Sequence, residues 1–407
     1  EDIMQLKRKI TKDIKEWMES KERKCLIISG AKGVGKTYTI EQFAKENFEE
    51  YVRINFREMP SAADIFAGDL TVEHMLMLMK FRFPEKEFIP RKTLFFLDEI
   101  QECPEAITSL KFWALDNRFD IIASGSLLGV DYKRPSSYPV GYVDYLKMHG
   151  LDFEEFLWGM GENKTEVKNL YRYLEVESEI PEFFSEKIMS YYLEYIAVGG
   201  MPEVVSKYIE TRNISEADHI QKKLLKQYFQ DISYYGKREK KERIKNCYLS
   251  ILEQLLNKNE MEWEGKRKDF CFEIDWLIKA DMIHISRRIT KKKYDLDEYT
   301  MDDSFRTYVS DLSLLMAMTD VSLKQQIIND MLQGEIKDII YEYATADALY
   351  KKGYNLYFYG DDDTGKEKQI VIQKNGKIVS IEIKEGLMKK AGNKQTLGIP
   401  IYMISFV

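Results

Sequence analysis

The chain of 407 residues has few cysteines and no long apolar run, so it lacks the usual features of secreted, zinc-binding or membrane-spanning proteins. Its cysteines are scattered and form no C-x-x-C pair, which argues against a zinc site or a disulfide framework. We expect them to be reduced, mostly buried thiols at Cys25, Cys103, Cys247 and Cys271. No apolar run approaches the ~20 residues of a membrane span, and no signal-peptide pattern is visible. We therefore expect a cytoplasmic protein with no membrane partner.

An excess of positive charge is also missing. Lys and Arg total 61 against 68 Asp and Glu, so the formal net charge is −7. This excludes a basic field over the whole protein but leaves local basic patches open. Hydrophobic residues make up 44% of the chain and aromatic residues 13%, which is enough for large cores. The length allows about two to four domains.

The most informative motif is GAKGVGKT at residues 30–37, a complete G-x-x-x-x-G-K-[ST] phosphate loop. It follows a short β-prone segment at 25–29 and precedes apolar residues at helical spacing in 37–48. Backbone N–H groups of such a turn and the following helix N-terminus bind anions. We expect Lys36 to reach the β- and γ-phosphates of ATP and Thr37 to bind Mg²⁺. The residues expected to bind nucleotide are Gly30, Gly33, Val34, Gly35, Lys36, Thr37 and Tyr38.

A second motif, TLFFLDE at residues 93–99, is an apolar strand that ends in two carboxylates. This Walker B pattern predicts that Asp98 holds Mg²⁺ and that Glu99 takes the proton of the attacking water. A strand candidate at 51–56 and a helical stretch lie between the two motifs. P-loop ATPases with a catalytic glutamate have one such βα unit at this point.

A third element, FDIIASGS at residues 119–126, is a buried-type strand that ends in small polar residues. We expect it to lie between the strands of the first two motifs, with Ser124 or Ser126 facing the γ-phosphate. Ligands of open α/β sheets bind at the carboxyl ends of the strands, where all three motifs end. The predicted catalytic residues are therefore Lys36, Glu99 and Ser124.

The pattern along the chain predicts an α/β protein with several domains. We expect a P-loop parallel sheet of the ASCE type, which carries a catalytic glutamate, at 1–148, a helical lid at 149–232, a winged-helix-like domain at 233–322 and an α/β domain at 323–407. An amphipathic helix at 3–18 would either pack near an adenine or cover the edge of the sheet.

Basic residues cluster in two segments, 237–245 and 287–293, either of which could contact phosphates of DNA or RNA. Arg287, Arg288 and Lys291 to Lys293 would lie on the wing of the winged-helix-like domain. In both segments the charge is also typical of a solvated helix start or turn.

The chain resembles prokaryotic AAA-type ATPases that carry a C-terminal domain of unknown function with a restriction-endonuclease-like core. The resemblance covers nearly the whole chain, in family order. The matching stretches are GAKGVGKT (30–37), FLDEIQ (96–101), ASGS (123–126), LDFEEFL (151–157), GGMPE (199–203), DWLIKADMI (275–283), FRTYVSDLSLL (305–315) and IEIK (381–384). It implies an AAA-type core, a helical subdomain, a winged-helix-like segment and a nuclease-like terminal fold.

Two departures from the family bear on activity. Lys32 and Gly33 replace an Arg-Gln pair inside the phosphate loop, which leaves nucleotide binding unaffected. Tyr142 follows Gly141 where the family often has a basic residue, so a basic group that could act as an arginine finger is missing there. Such a finger can contribute roughly 10³- to 10⁵-fold in rate, so we expect slow or partner-dependent hydrolysis. Arg118 and Arg134 could replace it by proximity only.

The resemblance also implies a nuclease-like site in the last domain. Glu382 and Lys384 fit the Glu-x-Lys pair of such folds, and Glu342 on the preceding helix could add an acid. Gln369 stands where the family has a metal-binding Asp, and an amide is a poor Mg²⁺ ligand. The sequence therefore predicts a degenerate site without nuclease activity.

These features favour an ATP-binding protein that hydrolyses ATP with Mg²⁺ and acts as a nucleotide-driven switch on a partner. One alternative is a nucleic-acid-binding effector that uses the winged-helix-like and nuclease-like domains. Another is a non-hydrolysing nucleotide-binding scaffold, which the intact Lys36, Thr37, Asp98 and Glu99 disfavour. The oligomeric state and the physiological partner stay open.

Overall fold

The computed structural model describes residues 6–126, 128, 137–168, 182–236, 240–256, 267–361, 366–384, 387–390 and 396–397. These residues form two compact units. The phosphate-loop unit contains residues 8–149 and 279–281, and the C-terminal unit contains the described remainder of the chain.

The phosphate-loop unit is built on a five-stranded parallel sheet with strand order β2-β3-β4-β1-β5. The strands are β1 Cys25–Ser29, β2 Glu50–Asn55, β3 Thr93–Asp98, β4 Asp120–Gly125 and β5 Val143–Lys147. Every residue of β3 and β4 is buried, as expected of central strands covered on both faces. The sheet confirms the predicted α/β fold class, and β4 lies between β1 and β3 as expected.

In the described residues of this unit the α-helices are α1 Ile10–Glu19, α2 Lys36–Asn47, α3 Val72–Arg82 and α4 Pro104–Asp116. Short 3-10 turns span Pro60–Phe66 and Ile100–Glu102. Trp17 on the buried face of α1 donates its Nε1–H to the carbonyl of Lys24, 2.9 Å away, just before β1. Phe95 of β3 packs against Trp113 of α4, with ring centroids 5.4 Å apart. Such ring contacts fix a helix against the central strand.

The C-terminal unit begins with a group of helices. They are α5 Phe153–Gly159, α6 Glu182–Val198, α7 Pro202–Thr211, α8 Ile214–Tyr235, α9 Lys241–Leu256 and α10 Arg267–Lys279. Asp152 and Glu155 form a capping box at the start of α5, which fixes where this helix begins. Further along the described part of the chain come the helices α11 Leu312–Ala317, α12 Val321–Ile328 and α13 Gly334–Lys351. No helix of the described ranges combines the length and the apolar character that crossing a bilayer requires.

A seven-stranded sheet with strand order β12-β11-β10-β9-β8-β6-β7 completes this unit. Its strands are β6 Ile283–Ile289, β7 Thr300–Val309, β8 Leu356–Asp361, β9 Lys366–Lys374, β10 Lys377–Lys384, β11 Leu387–Lys390 and β12 Thr396–Leu397. β6 and β7 pair antiparallel, and β6 also pairs parallel with β8, with Ser286 opposite Leu356. This parallel pairing joins the segment predicted as the wing and the predicted last domain in one sheet, across the predicted boundary near residue 322.

A buried charge cluster of Asp311, Asp347 and Lys351 ties the C-terminal unit together, and we call it the Lys351 cluster. Lys351 Nζ lies 2.6 Å from Asp311 Oδ2 and 2.8 Å from Asp347 Oδ2. Asp311 Oδ1 in turn accepts from the backbone N–H of Gly200 at 2.9 Å. A Cβ at Gly200 would lie 2.2 Å from the carbonyl oxygen of Leu151, so the GGMPE motif needs glycine there.

The two carboxyls of this cluster differ in acidity. Burial tends to raise the pKa of Asp311, but the Lys351 ammonium and the backbone hydrogen bonds outweigh it and lower that pKa. Burial raises the pKa of Asp347 to about 7, and the Asp311 charge adds to the effect while Lys351 opposes it. Lys351 thus has one firmly ionised partner and one that titrates near neutrality.

Candidate nucleotide-binding site

The phosphate loop connects the end of β1 at Ser29 to the start of α2 at Lys36. Gly30 has φ 152°, and a Cβ there would lie 2.1 Å from the carbonyl oxygen of Met148. Gly35, the residue before α2, has φ 94° in the left-handed region. Only glycine tolerates the close approach at position 30 and the left-handed conformation at position 35 at low cost. The glycines of the motif therefore determine the backbone conformation of the loop.

Arg8 braces this loop from the segment before α1. Its Nη1 donates to the carbonyl of Val34 at 2.8 Å and its Nη2 to the carbonyl of His149 at 2.6 Å. Sequence analysis assigns no role to Arg8, because a single arginine within the predicted helix at 3–18 carries no motif; the observed α1 begins later, at Ile10.

Lys36 is buried at the first position of α2, with 8% of its surface exposed. Its Nζ donates to the carbonyls of Gly30 at 2.7 Å and Ala31 at 2.9 Å. Burial lowers the pKa of Lys36 to about 8, although Glu99 and Asp98 act in the opposite direction. The ammonium therefore lies inside the loop, where its charge has little solvent to stabilise it and an anion would be a favourable partner.

Asp98, the last residue of β3, is 1% exposed and is the point where the predicted motifs meet. Thr37 Oγ1 lies 3.2 Å and 3.1 Å from its two carboxylate oxygens. Ser124 Oγ of β4 donates to Asp98 Oδ1 at 2.5 Å. The structure thus brings together one residue from each of the three motifs.

Two further residues at Asp98 come from β2 and were missed in the sequence. Arg53 approaches Asp98 Oδ2 with Nε at 3.1 Å and Nη2 at 2.9 Å. Asn55 Nδ2 donates to the same oxygen at 3.2 Å. β2 pairs with β3 so that Asn55 lies opposite Asp98, and alternation along the strand places Arg53 on the same face as Asn55. The alternation of Arg53 and Asn55 is visible in the sequence, but it points to Asp98 only once β2 is known to pair with β3.

Glu99 follows Asp98 with φ 53°, an unusual conformation for a residue with a side chain. Its Oε2 accepts from Nε2 of Gln101 at 2.6 Å. A backbone held in this region at the end of a strand is typical of a functional position. Gln101, which the sequence reading also missed, orients the carboxylate that was predicted to act as the base.

The remaining predicted loop residues occupy the same edge of the sheet. Val34 is buried and Tyr38 lies in the first turn of α2. Gly33 has φ 83°. Ser126, the alternative to Ser124, is buried just after β4.

The donor set fits a divalent metal and a polyphosphate. The Thr37 hydroxyl and the Asp98 carboxylate supply the hard oxygen ligands that Mg²⁺ prefers. The Lys36 ammonium and the N–H groups of a glycine-rich turn at a helix start supply positive charge for phosphates. These side chains could therefore hold Mg²⁺ and a nucleotide together.

The two arginines considered as replacements for a finger are not at this carboxylate as far as the structure describes them. Arg118 Nη2 lies 2.7 Å from Asp116 Oδ2 and 2.6 Å from Glu73 Oε1. Arg134 lies outside the described residues.

The predicted nuclease-like residues belong to the C-terminal unit. Glu342 on α13 accepts from Arg306 Nη1 at 2.6 Å and from the Tyr308 hydroxyl at 2.9 Å. Because Arg306 is 3% exposed, Glu342 serves as the counter-ion of a buried cation. Among the strand residues, Gln369 lies on β9 opposite Tyr359, and Glu382 and Lys384 lie on β10 opposite Lys389 and Leu387.

Basic side chains of the two segments predicted to contact nucleic acid have partners within the protein. In the first segment these contacts are Lys240 over the Phe272 ring at 3.8 Å, Arg243 with Glu273 at 3.0 Å, and Lys245 over the Phe229 ring at 5.2 Å. In the second they are Arg287 with Asp297 at 3.4 Å and Lys292 over the Tyr359 ring at 4.7 Å. Residues 237–239 lie outside the described part of the chain.

A parallel sheet in the order found here, with a phosphate loop after β1 and a carboxylate at the end of β3, is the arrangement of a P-loop domain. Residues 22–157 match the family described as AAA domain, in agreement with this class. Residues 189–325 match a family described as a domain of unknown function. The nuclease-like core stays a prediction.

Solved structures give distant likenesses. The Walker-type ATPase of Pyrococcus abyssi is 14% identical with a TM-score of 0.41, over 77% of this chain and 96% of that one. The Orc1 protein of Aeropyrum pernix, solved with DNA, is 11% identical with a TM-score of 0.28, over 79% and 91%. DnaA of Aquifex aeolicus, solved with AMPPCP, is 16% identical with a TM-score of 0.26, over 83% and 92%. No curated protein matches the chain significantly.

Proposed function

We propose that the protein binds ATP at residues 30–37, hydrolyses it with Mg²⁺ and uses the bound nucleotide as a switch that acts on a partner. The observation that carries this proposal is the meeting of the Thr37 and Ser124 hydroxyls at Asp98. That meeting joins the phosphate loop and β4 to the end of β3, where the predicted base Glu99 follows Asp98.

Each residue has a defined task in this proposal. The loop N–H groups and Lys36 bind the phosphates, while Thr37 and Asp98 hold the metal. Bound Mg²⁺ would neutralise phosphate charge. Glu99, oriented by Gln101 at 2.6 Å, accepts the proton of the attacking water.

The switch role rests on the expected low basal rate. Tyr142 stands where a basic residue was expected, and Arg118 is engaged by Asp116 and Glu73 at the surface. We therefore propose that a partner supplies the missing positive charge and that its arrival stimulates hydrolysis.

The test measures phosphate release from Mg-ATP together with the affinity for a fluorescent ATP analogue. Lys36→Ala should weaken binding, because it removes the buried cation of the loop. Glu99→Gln should keep binding and reduce release by about 100-fold or more, because the amide accepts a proton poorly. Unchanged release by the Glu99→Gln variant would exclude Glu99 as the base. Binding without release by the wild type, even with candidate partners, would instead favour the non-hydrolysing scaffold.

A second candidate function is binding of DNA or RNA. It draws on the exposed run Lys291 to Lys293, which follows β6. The internal contacts of Arg287 and Lys292 reduce the charge available to phosphates. Duplex DNA added to the phosphate-release assay distinguishes the two: salt-sensitive stimulation would favour nucleic acid as the partner.

A further inference from the structure

Arg53 forms an ion pair with Asp98, the predicted metal ligand. Arg53 places Nη2 2.9 Å from Asp98 Oδ2, and Asp98 is 1% exposed. The other side chains that the structure describes within hydrogen-bond distance of the Asp98 carboxylate are neutral donors, from Thr37, Asn55 and Ser124. Arg53 is thus the positive charge that the described structure places directly on this buried carboxylate.

Arg53 also has other acceptors within reach. Its Nη1 lies 3.4 Å from Glu41 Oε1 on α2, and its Nη2 lies 3.2 Å from Glu58 Oε1. The Arg53 side chain is 26% exposed, so its guanidinium can turn without breaking a packed core. Glu58 is itself held by Asn55, whose Nδ2 lies 3.1 Å from Glu58 Oε1. The guanidinium therefore has two carboxylates to receive it when it leaves Asp98.

A guanidinium and a divalent cation compete for the same carboxylate. Their mutual repulsion is large at short distance, since two positive charges interact strongly in a medium of low effective dielectric. We propose that Arg53 is a resident counter-ion of Asp98 that a divalent metal must displace, so that Arg53 sets the metal concentration at which the nucleotide site fills. This inference rests on the proposed function of the same site.

The proposal predicts opposite shifts from two kinds of variant. Arg53→Gln removes the competing charge, so metal binds at lower concentration, by about tenfold. Glu41→Gln removes one receiving carboxylate, so Arg53 stays longer on Asp98 and more metal is needed. Arg53→Lys keeps the charge and should stay close to the wild type. A loss of structure alone would not give shifts of opposite sign.

The experiment titrates Mn²⁺ into the full chain with ADP and reads free Mn²⁺ by electron paramagnetic resonance. The affinity for a fluorescent ADP analogue is measured separately in the presence of EDTA. Arg118→Gln is the matched control, because it removes an arginine whose contacts are Asp116 and Glu73. It should leave the Mn²⁺ midpoint unchanged.

Four outcomes decide between these possibilities. A lower Mn²⁺ midpoint for Arg53→Gln, with metal-free affinity kept, supports the proposal. A midpoint that is unchanged or higher while nucleotide still binds overturns the proposal and leaves the proposed function intact. A loss of metal-free affinity for Arg53→Gln also overturns it, since Arg53 would then be a nucleotide contact. If the wild type and Lys36→Ala both fail to bind nucleotide, the proposed function fails and this inference fails with it.

Discussion

Asp98 in the phosphate-loop unit and Asp311 in the C-terminal unit are both carboxylates with 1% of their surface exposed. Asp98 ends β3, and Asp311 follows β7 by two residues. Their cations differ in access to solvent: the side chain of Arg53 is 26% exposed, whereas that of Lys351 is 2% exposed.

This difference in solvent exposure indicates different roles for the ion pairs of Asp311 and Asp98. Lys351 Nζ has partners on several elements at once, including Leu151 and Tyr195, and cannot leave them without opening the unit. Arg53 has two alternative carboxylates beside it and can exchange. The pair Asp311–Lys351, which we call the closed pair, is shielded from solvent and stabilises the fold. The pair Asp98–Arg53, which we call the open pair, has a cation that reaches solvent and can change partners at a binding site.

The largest expected effect comes from breaking the closed pair. Lys351→Met should lower the free energy of unfolding by about 3–5 kcal/mol, because Asp311 is left buried without its cation. Urea unfolding measures this loss. Lys207→Met is the matched control, since Lys207 pairs with Glu210 at the surface, and it should cost less than about 1 kcal/mol. Equal losses in the two variants would refute the structural role of Lys351.

The open pair should respond in the opposite way. Asp98→Asn keeps the side-chain shape but removes the charge, so phosphate release from Mg-ATP should fall by about 100-fold or more. The free energy of unfolding should change by less than about 1 kcal/mol, because neutral donors remain to bind the amide oxygen. A variant that loses stability rather than activity would make Asp98 a second structural carboxylate and end the contrast.

The smallest effect concerns pH. The raised pKa of Asp347, about 7, means that the folded protein binds this proton more tightly than the unfolded chain. The contribution of protonated Asp347 to the free energy of unfolding is complete at acid pH, below the pKa near 4 of the unfolded chain. It is lost as the pH rises through the pKa of about 7 in the folded protein. Asp347→Asn resembles the protonated form, so its stability relative to the wild type should increase between pH 5 and pH 8.

The free energy of unfolding is measured between pH 5 and pH 8 for a surface carboxyl as well, as a control. Asp330 pairs with Lys337 and its side chain is 54% exposed, so Asp330→Asn is the surface control for the removal of a paired carboxylate. A difference for Asp347→Asn that stays flat with pH would mean that Asp347 is ionised in the folded protein throughout this range.

Much of the nucleotide site could be predicted because its parts are local motifs with a fixed order. Thr37, Asp98 and Ser124 each end or begin an element at the carboxyl edge of the sheet, so their meeting follows from topology. Arg53 was not predicted because it belongs to no motif, and Gln101 was given no role although it closes the FLDEIQ stretch. Their roles depend on which strand borders β3 and on a left-handed turn at Glu99.

The C-terminal unit was harder to predict for a different reason. The helix, helix and strand pattern before β7 predicts a winged-helix-like segment, but local periodicity says nothing about which distant strand pairs with β6. The pairing of Ser286 with Leu356 is parallel and joins segments that are far apart in the chain. Such a register is fixed only when the whole sheet forms.

That parallel pairing also affects how the protein is made. As the chain leaves the ribosome, the β6–β7 hairpin emerges first, and one edge of β6 has no neighbour until β8 has been synthesised. An unpaired edge strand can add to the sheet of another molecule. The helices α11 to α13 intervene during this interval, so the speed of translation through them sets how long nascent chains carry an open edge.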